Sequence, residues 1–251
     1  MTITAFITGA NKGIGYETAR QLAARGMTVL LGARDSELGQ AAAEELRAEG
    51  ADAHFILIDV ADEQSIAAAA AQIEADFGRL DILVNNAAIG GGLDGDGKPS
   101  SGTLATLRQV YETNVFGLVA VTNALLPLLR RAEAARIVNV SSEVGSLAGR
   151  TDPNSPMSQM VSAIPYTSSK TTVNMVTVLY ALELKDTPIK VNAANPGYTA
   201  TDLNANSGFR TVEQGAEPSV HLATLPADGP TGTFWGYIWG HGQEEYGRIE
   251  W

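Results

Sequence analysis

Tyr166 and Lys170 close the run Tyr166-Thr167-Ser168-Ser169-Lys170, and four-residue spacing stacks a phenol and an ammonium on one face of a helix. A phenol with an ordinary pKa of about 10 is a poor acid or base at neutral pH. A neighbouring lysine cation favours the phenolate, so the pair is expected to lower that value and make Tyr166 a usable proton donor and acceptor. By itself the pair decides little, because Tyr and Lys at this spacing also decorate solvated helices.

A second group of residues is suited to hold a phosphate. Thr8-Gly9-Ala10-Asn11-Lys12-Gly13-Ile14-Gly15 follows an apolar run and leads into a helical pattern. Glycines let the backbone turn sharply and approach a pyrophosphate, while a helix N-terminus supplies N–H groups and the positive end of its dipole. Gly9, Asn11, Lys12, Gly13, Ile14 and Gly15 are therefore candidate dinucleotide contacts, with a plain glycine-rich turn as the alternative.

The second apolar run ends at Gly32-Ala33-Arg34-Asp35. A fold that selects NAD usually places an acidic residue there against the adenosine ribose. Here Ala33 takes that place, and Arg34 and Lys12 can converge on a 2′-phosphate. NADP(H) is the expected cofactor; a solvated Arg34–Asp35 surface pair is the alternative. After the third run, Asp59 and Val60 could meet an adenine through a carboxylate and a backbone group. Asp59 could equally cap a helix.

These residues need a frame that brings the ends of apolar runs together. Runs rich in Ile, Val and Leu are expected as strands at Thr2 to Thr8, Thr28 to Ala33, Ala53 to Asp59, Asp81 to Asn85, Arg136 to Ser141, Ile189 to Ala194 and near Thr233 to Ile238. Helical patterns fall between them at Ile14 to Arg25, Glu37 to Glu49, Glu63 to Phe77, Thr103 to Arg131, Tyr166 to Leu184 and Val212 to Leu225. The alternation predicts one α/β domain over residues 1–251, a doubly wound, Rossmann-type parallel sheet of about seven strands with helices on both faces. Ligands of such sheets bind outside the strand C-termini. Two longer loops, Gly90 to Ser101 and Arg150 to Pro165, interrupt the regular spacing.

Composition narrows the function classes. A formal net charge of −11 would repel a phosphate backbone, so nucleic acid is not an expected partner. With no cysteine there is no disulfide framework, thiolate metal site or thiol nucleophile, which suits a reducing cytoplasm. The first residues read as a strand and not as a signal peptide, and no apolar run reads as a membrane span. His54, His221 and His241 cluster with no carboxylate pattern, so no metal is expected.

Taken in order, the glycine loop, Asn85-Asn86-Ala87-Ala88, Asn114, Ser141-Ser142, Tyr166 to Lys170 and Asn195-Pro196-Gly197 resemble the short-chain dehydrogenase/reductase family along almost the whole chain. Asn11 to Gly15 with Ala33-Arg34-Asp35 looks most like its NADPH-dependent carbonyl reductases. The resemblance implies a carbonyl–alcohol oxidoreductase in which Tyr166 exchanges a proton with the substrate oxygen and Ser142 hydrogen-bonds that oxygen. It implies that Lys170 holds the nicotinamide ribose and stabilises the tyrosinate, and that Asn114 interrupts its helix and anchors a water relaying protons to Lys170. Asn86 and Ala87 would lie beside the adenosine, with Pro196, Gly197 and Thr199 beside the nicotinamide.

Two departures from the family pattern stand out. Ala88 replaces the glycine common in the Asn-Asn-Ala-Gly segment, and the stretch from Ser142 to Tyr166 is longer than usual. The extra length is Arg150 to Pro165. Its ends are tethered beside Ser142 and Tyr166, and Met157, Met160 and Ile164 make it apolar, so it is expected to cover the site and favour medium-sized apolar carbonyl compounds. Relatives on this fold also carry out enoyl reduction, epimerisation or dehydration, or only sense the dinucleotide. The oligomeric state is left open.

Overall fold

A computed structural model describes residues 2–92, 97–239 and 245–251. His241 and part of the Gly90 to Ser101 loop lie outside them. Strand β1 (Thr4–Thr8) leads into α1 (Gly13–Ala23), followed by β2 (Thr28–Ala33), α2 (Ser36–Ala48), β3 (Ala53–Leu57), α3 (Glu63–Phe77) and β4 (Ile82–Asn85). The chain continues through α4 (Leu104–Tyr111), a π-helical turn at Glu112–Gly117, α5 (Leu118–Leu129), β5 (Arg136–Val140), α6 (Leu147–Thr151), α7 (Ile164–Glu183), β6 (Lys190–Asn195), α8 (Val212–Ala223), β7 (Phe234–Tyr237) and β8 (Tyr246–Ile249).

The strand order is β3-β2-β1-β4-β5-β6-β7-β8. The first seven strands pair in parallel, and every residue of β1, β2, β4 and β5 is buried, which is why they read as continuous apolar runs. The eighth strand corrects the expected count: β8 turns back antiparallel to β7, with Trp235 opposite Arg248. Its four residues, Tyr246-Gly247-Arg248-Ile249, are too short and too mixed to signal a strand.

Each face of the sheet carries its own core. Ile66 and Ile73 of α3, Val121 and Leu125 of α5, and Tyr180 and Ala181 of α7 pack on one face. Ala19 and Leu22 of α1, Ala43 and Leu46 of α2, and Val220 of α8 pack on the other. Helix starts follow local chemistry: Asp35 and Asp62 accept from Leu38 N and Gln64 N, and Thr211 with Gln214 forms a capping box.

The helical run Leu104–Leu129 passes a length-and-composition test for crossing a membrane, as the core helix of a soluble protein also can. Half of its most apolar window is buried, and Val121, Leu125, Leu128 and Leu129 are spent on the core. The sheet order reverses between β1 and β4. That switch point opens a crevice at the strand C-termini, where the candidate residues collect.

Candidate active site

Gly9 and Gly13 have φ of +65° and +58°, a left-handed conformation that side chains rarely adopt. A Cβ on Gly9 would come within 3.0 Å of Ala87 Cα, and one on Gly15 would collide with Asn86 Nδ2 and Gly9 O. Asn86 explains the crowding: its Nδ2 donates to Thr8 O (2.9 Å) and Gly9 O (3.1 Å). The backbone N–H groups of Asn86 and Ala87 donate to Thr8 Oγ1 (3.0 and 3.1 Å). The end of β4 is thus laced to the glycine loop, so Asn86 and Ala87 shape the cradle in addition to any adenosine contact. Ala88 keeps a negative φ, so its extra methyl needs no strained backbone.

Helix α1 starts without a side-chain cap and without an acidic residue in its first turn, unlike α2 and α3. Its leading N–H groups and dipole are left for an anion, so the loop fits a dinucleotide pyrophosphate. Arg34 is exposed at the end of β2, while Asp35 caps α2. Lys12 is exposed and its Nζ lies 2.6 Å from Asp202 Oδ2, bridging the glycine loop to the loop after β6. Asp59 holds the turn ahead of α3, accepting from Ala61 N (3.0 Å), while Asp62 is the N-cap. The Val60 carbonyl lies against Gly117, where a Cβ would come within 2.5 Å.

The reaction centre gathers at the ends of β5 and α7. Helix α7 begins at Ile164, two residues before the expected start, with Pro165 in its first turn where a missing N–H costs nothing. Tyr166 therefore stands inside the first turn, with the Ser142 hydroxyl near enough to act on its phenol. Lys170 is buried, with Nζ donating to Val140 O (2.8 Å) and lying 5.5 Å from the Tyr166 ring centroid.

The expected lowering of the Tyr166 pKa is not what this environment produces. Burial pushes the phenol up to about 12, with the Ser142 hydroxyl pulling the other way. Burial also holds Lys170 down to about 8. Loss of solvation disfavours both charged forms and outweighs their proximity.

Asn114 is buried inside the π-helical turn, so the helix is interrupted at this residue. Its Oδ1 accepts from Ile89 N (2.8 Å), and its Nδ2 donates to Ile89 O (3.0 Å) and Ser169 Oγ (3.1 Å). It reaches α7 one residue before Lys170 and ties that helix to the segment after β4. Beyond β6, Pro196 is buried and Gly197 has φ +70°, pressed so closely on Tyr237 and Arg210 that a Cβ would meet them at 2.6 and 2.7 Å. The Thr199 hydroxyl turns inward to the Pro196 and Gly197 carbonyls, both at 3.3 Å.

Three neighbours went unassigned in the sequence. Ser141 Oγ donates to Asn174 Oδ1 (2.5 Å) and Lys170 O (3.3 Å), pinning β5 to α7. Asn195 Oδ1 accepts from Glu143 N (3.1 Å) and Gly197 N (3.2 Å), while its Nδ2 donates to Tyr237 O (2.7 Å). Glu143 itself is buried, directly after Ser142. The motifs Ser141-Ser142 and Asn195-Pro196-Gly197 carried a signal for the first two, and nothing pointed to Glu143. Among the described residues, no group of three His, Cys, Asp or Glu could hold a metal ion.

Residues 3–210 match the family described as short chain dehydrogenase. The chain belongs to that family. A short-chain dehydrogenase, anuI, from Penicillium roqueforti is 39% identical over 223 residues, covering 87% of each chain. Carbonyl reductase (NADPH) 1 from Sus scrofa is 34% identical over 270 residues, covering 93% of this chain and 91% of that one. The solved structure of salutaridine reductase from Papaver somniferum superposes with a TM-score of 0.80 at 30% identity, covering 92% of this chain and 99% of that one. A gluconate 5-dehydrogenase from Burkholderia cenocepacia, in complex with NADP and tartrate, superposes with a TM-score of 0.80 at 25% identity, covering 92% of each. This short-chain dehydrogenase is thus an oxidoreductase of a family that binds nicotinamide dinucleotides.

Proposed function

We propose that this short-chain dehydrogenase is an NADP(H)-dependent oxidoreductase interconverting a ketone or aldehyde and an alcohol, with Ser142, Tyr166, Lys170 and Asn114 as its working set. The observation that carries this reading is Tyr166 in the first turn of α7, one turn from buried Lys170 and beside Ser142 at the end of β5, at the same strand ends as the glycine cradle. Held in that cradle, the dinucleotide would supply hydride to the carbonyl carbon. Tyr166 gives its proton to the carbonyl oxygen during reduction and takes it back during oxidation. A phenol that keeps its proton up to about pH 12 enters reduction as the acid. Ser142 hydrogen-bonds the same oxygen, and protonated Lys170 stabilises the phenolate as it forms and holds ribose hydroxyls. Asn114 positions the Lys170 turn through Ser169, and would anchor the water that relays protons to Lys170.

Arg34, Lys12 and the absent acid at Ala33 support NADP(H). Charge-assisted contacts to a phosphate contribute about 1.5 to 3 kcal/mol each, so NADPH should exceed NADH by about tenfold or more in kcat/KM. Steady-state kinetics with both cofactors against a panel of carbonyl compounds measures this, and equal efficiency or an NADH preference would overturn it. The carbonyl reductase from Sus scrofa, named for NADPH, adds support.

The segment Arg150 to Pro165 divides into α6, a 3-10 turn at Pro156–Gln159 and the start of α7. Met157 is buried, whereas Met160 and Ile164 are exposed. Arg150 braces the segment, donating to Met157 O (2.8 Å) and Ser162 Oγ (3.3 Å). As a cover over the site, it would favour medium-sized apolar substrates. Replacing Met157 and Met160 by Ala should shift kcat/KM among carbonyl compounds of graded size and leave NADPH affinity nearly constant. An unaltered size profile removes the covering role.

A further inference from the structure

Directly after Ser142 the chain turns through the 3-10 segment Glu143–Gly145. This turn is pressed on the backbone of α7 at Lys170, where a Cβ on Gly145 would come within 2.6 Å of the carbonyl carbon. Consecutive Cα atoms lie about 3.8 Å apart, so Glu143 begins one step from the serine proposed to bind the carbonyl. Behind it is a cavity of about 110 Å³, lined by Glu143, Ser146, Met157, Tyr237, Trp239 and Ile249 among others. That volume takes a small polar head and its substituents, and the thioether, indole and aliphatic walls suit an apolar body.

The Glu143 carboxylate is poorly matched by the protein. One oxygen accepts from Asn195 Nδ2 over 3.4 Å, a long bond, and among the described residues no donor reaches the other. Arg210 acts on it only through space, since its guanidinium donates to Pro196 O (3.0 Å), Gln214 O (2.9 Å) and Tyr246 Oη (2.6 Å). Burial accordingly pushes Glu143 up to about 7. An under-partnered buried carboxylate costs stability that a cationic ligand would return. Trp239 and a net charge of −11 also favour a cation, whereas the Tyr237 ring already carries the Arg210 guanidinium, 4.2 Å from its centroid.

We propose that Glu143 and the cavity it faces form a subsite for a protonated amine carried by the carbonyl substrate. The inference rests on the reading of Ser142 and Tyr166 as the groups that hold the carbonyl oxygen. It narrows the substrate class to amino ketones or amino aldehydes with an apolar frame, the ammonium on the Glu143 side of the carbonyl.

The test uses two aryl ketones of one skeleton, the first with a side-chain tertiary amine and the second with carbon in place of that nitrogen. Two quantities are measured on the full chain: kcat/KM with NADPH, and ketone affinity from Trp fluorescence in the NADP+ complex. The wild type should favour the amine by about tenfold or more in both. Glu143→Gln, which keeps shape and an acceptor oxygen but removes the charge, should bring the ratio close to one, and Glu143→Asp should retain part of it. Equal affinity for the two ketones in the wild type overturns the subsite whatever the variants do. So does an undiminished ratio in Glu143→Gln, which would mean recognition by neutral hydrogen bonding. If neither ketone is reduced, the carbonyl-reducing activity fails instead, and the binding ratio alone decides the subsite.

Discussion

Replacing Tyr166 by Phe should lower carbonyl reduction by about 10² to 10⁴-fold, the usual worth of a positioned general acid, while NADPH binds with nearly wild-type affinity. Phe keeps the ring packed in the first turn of α7 and removes only the hydroxyl that meets Ser142. Binding and chemistry then separate, and single-turnover rates beside a fluorescence titration with NADPH measure both. Near-normal turnover in Tyr166→Phe would sink the acid/base assignment. Ser142→Ala, which leaves the phenol its proton, should give a smaller loss.

Lys170→Ala should damage both properties at once, with turnover down about a hundredfold or more and NADPH affinity reduced, because its ammonium is assigned both ribose and phenol. The pH profile carries a sharper signature. With Lys170 held down to about 8, the charge that stabilises the forming phenolate is lost as pH rises through that value. Wild-type kcat/KM for reduction should therefore be level below about 8 and fall above it. Lys170→Arg, which stays charged, should move the break upward; a break that stays near 8 in that variant assigns it to another group. Stability has its own sign. An unfolded lysine titrates at about 10.4, so between about 8 and 10.4 the unfolded chain binds more protons and stability rises with pH. Tyr166 acts oppositely at higher pH: its folded value of about 12 makes the folded state hold the extra proton above about 10, and stability falls there.

β1, β2, β4 and β5 were legible because a parallel strand buried on both faces must be apolar at nearly every position, as in Val29, Leu30 and Leu31. β8 lies at an edge and pairs through its backbone, so Gly247 and Arg248 satisfy it and leave no pattern to read. The helix from Thr103 was visible as one run; that Asn114 interrupts it followed from the family resemblance, and that the interruption is a π-helical turn came only with the structure. For the site, residue types and order were readable. Their electrostatics were not, since the rise at Tyr166 comes from burial, which residue order alone does not show. Lys12 was read only as a partner for a 2′-phosphate, and nothing near it in sequence pointed to Asp202, 190 residues on. Glu143 carried no sign of its burial, which depends on β7 and β8 closing over it.

That closure sets an order of assembly. Ser146 Oγ donates to Glu250 O (2.7 Å) and Ala148 N to Trp251 O (2.9 Å), joining the stretch behind Ser142 to residues about a hundred positions later. During synthesis from the N-terminus, β1 to β4 and the glycine cradle can form long before this link does. A chain halted before β8 would have the glycine cradle but lack the wall that Ile249 gives the cavity beside Glu143, so the two ends of the crevice depend on segments made at different times.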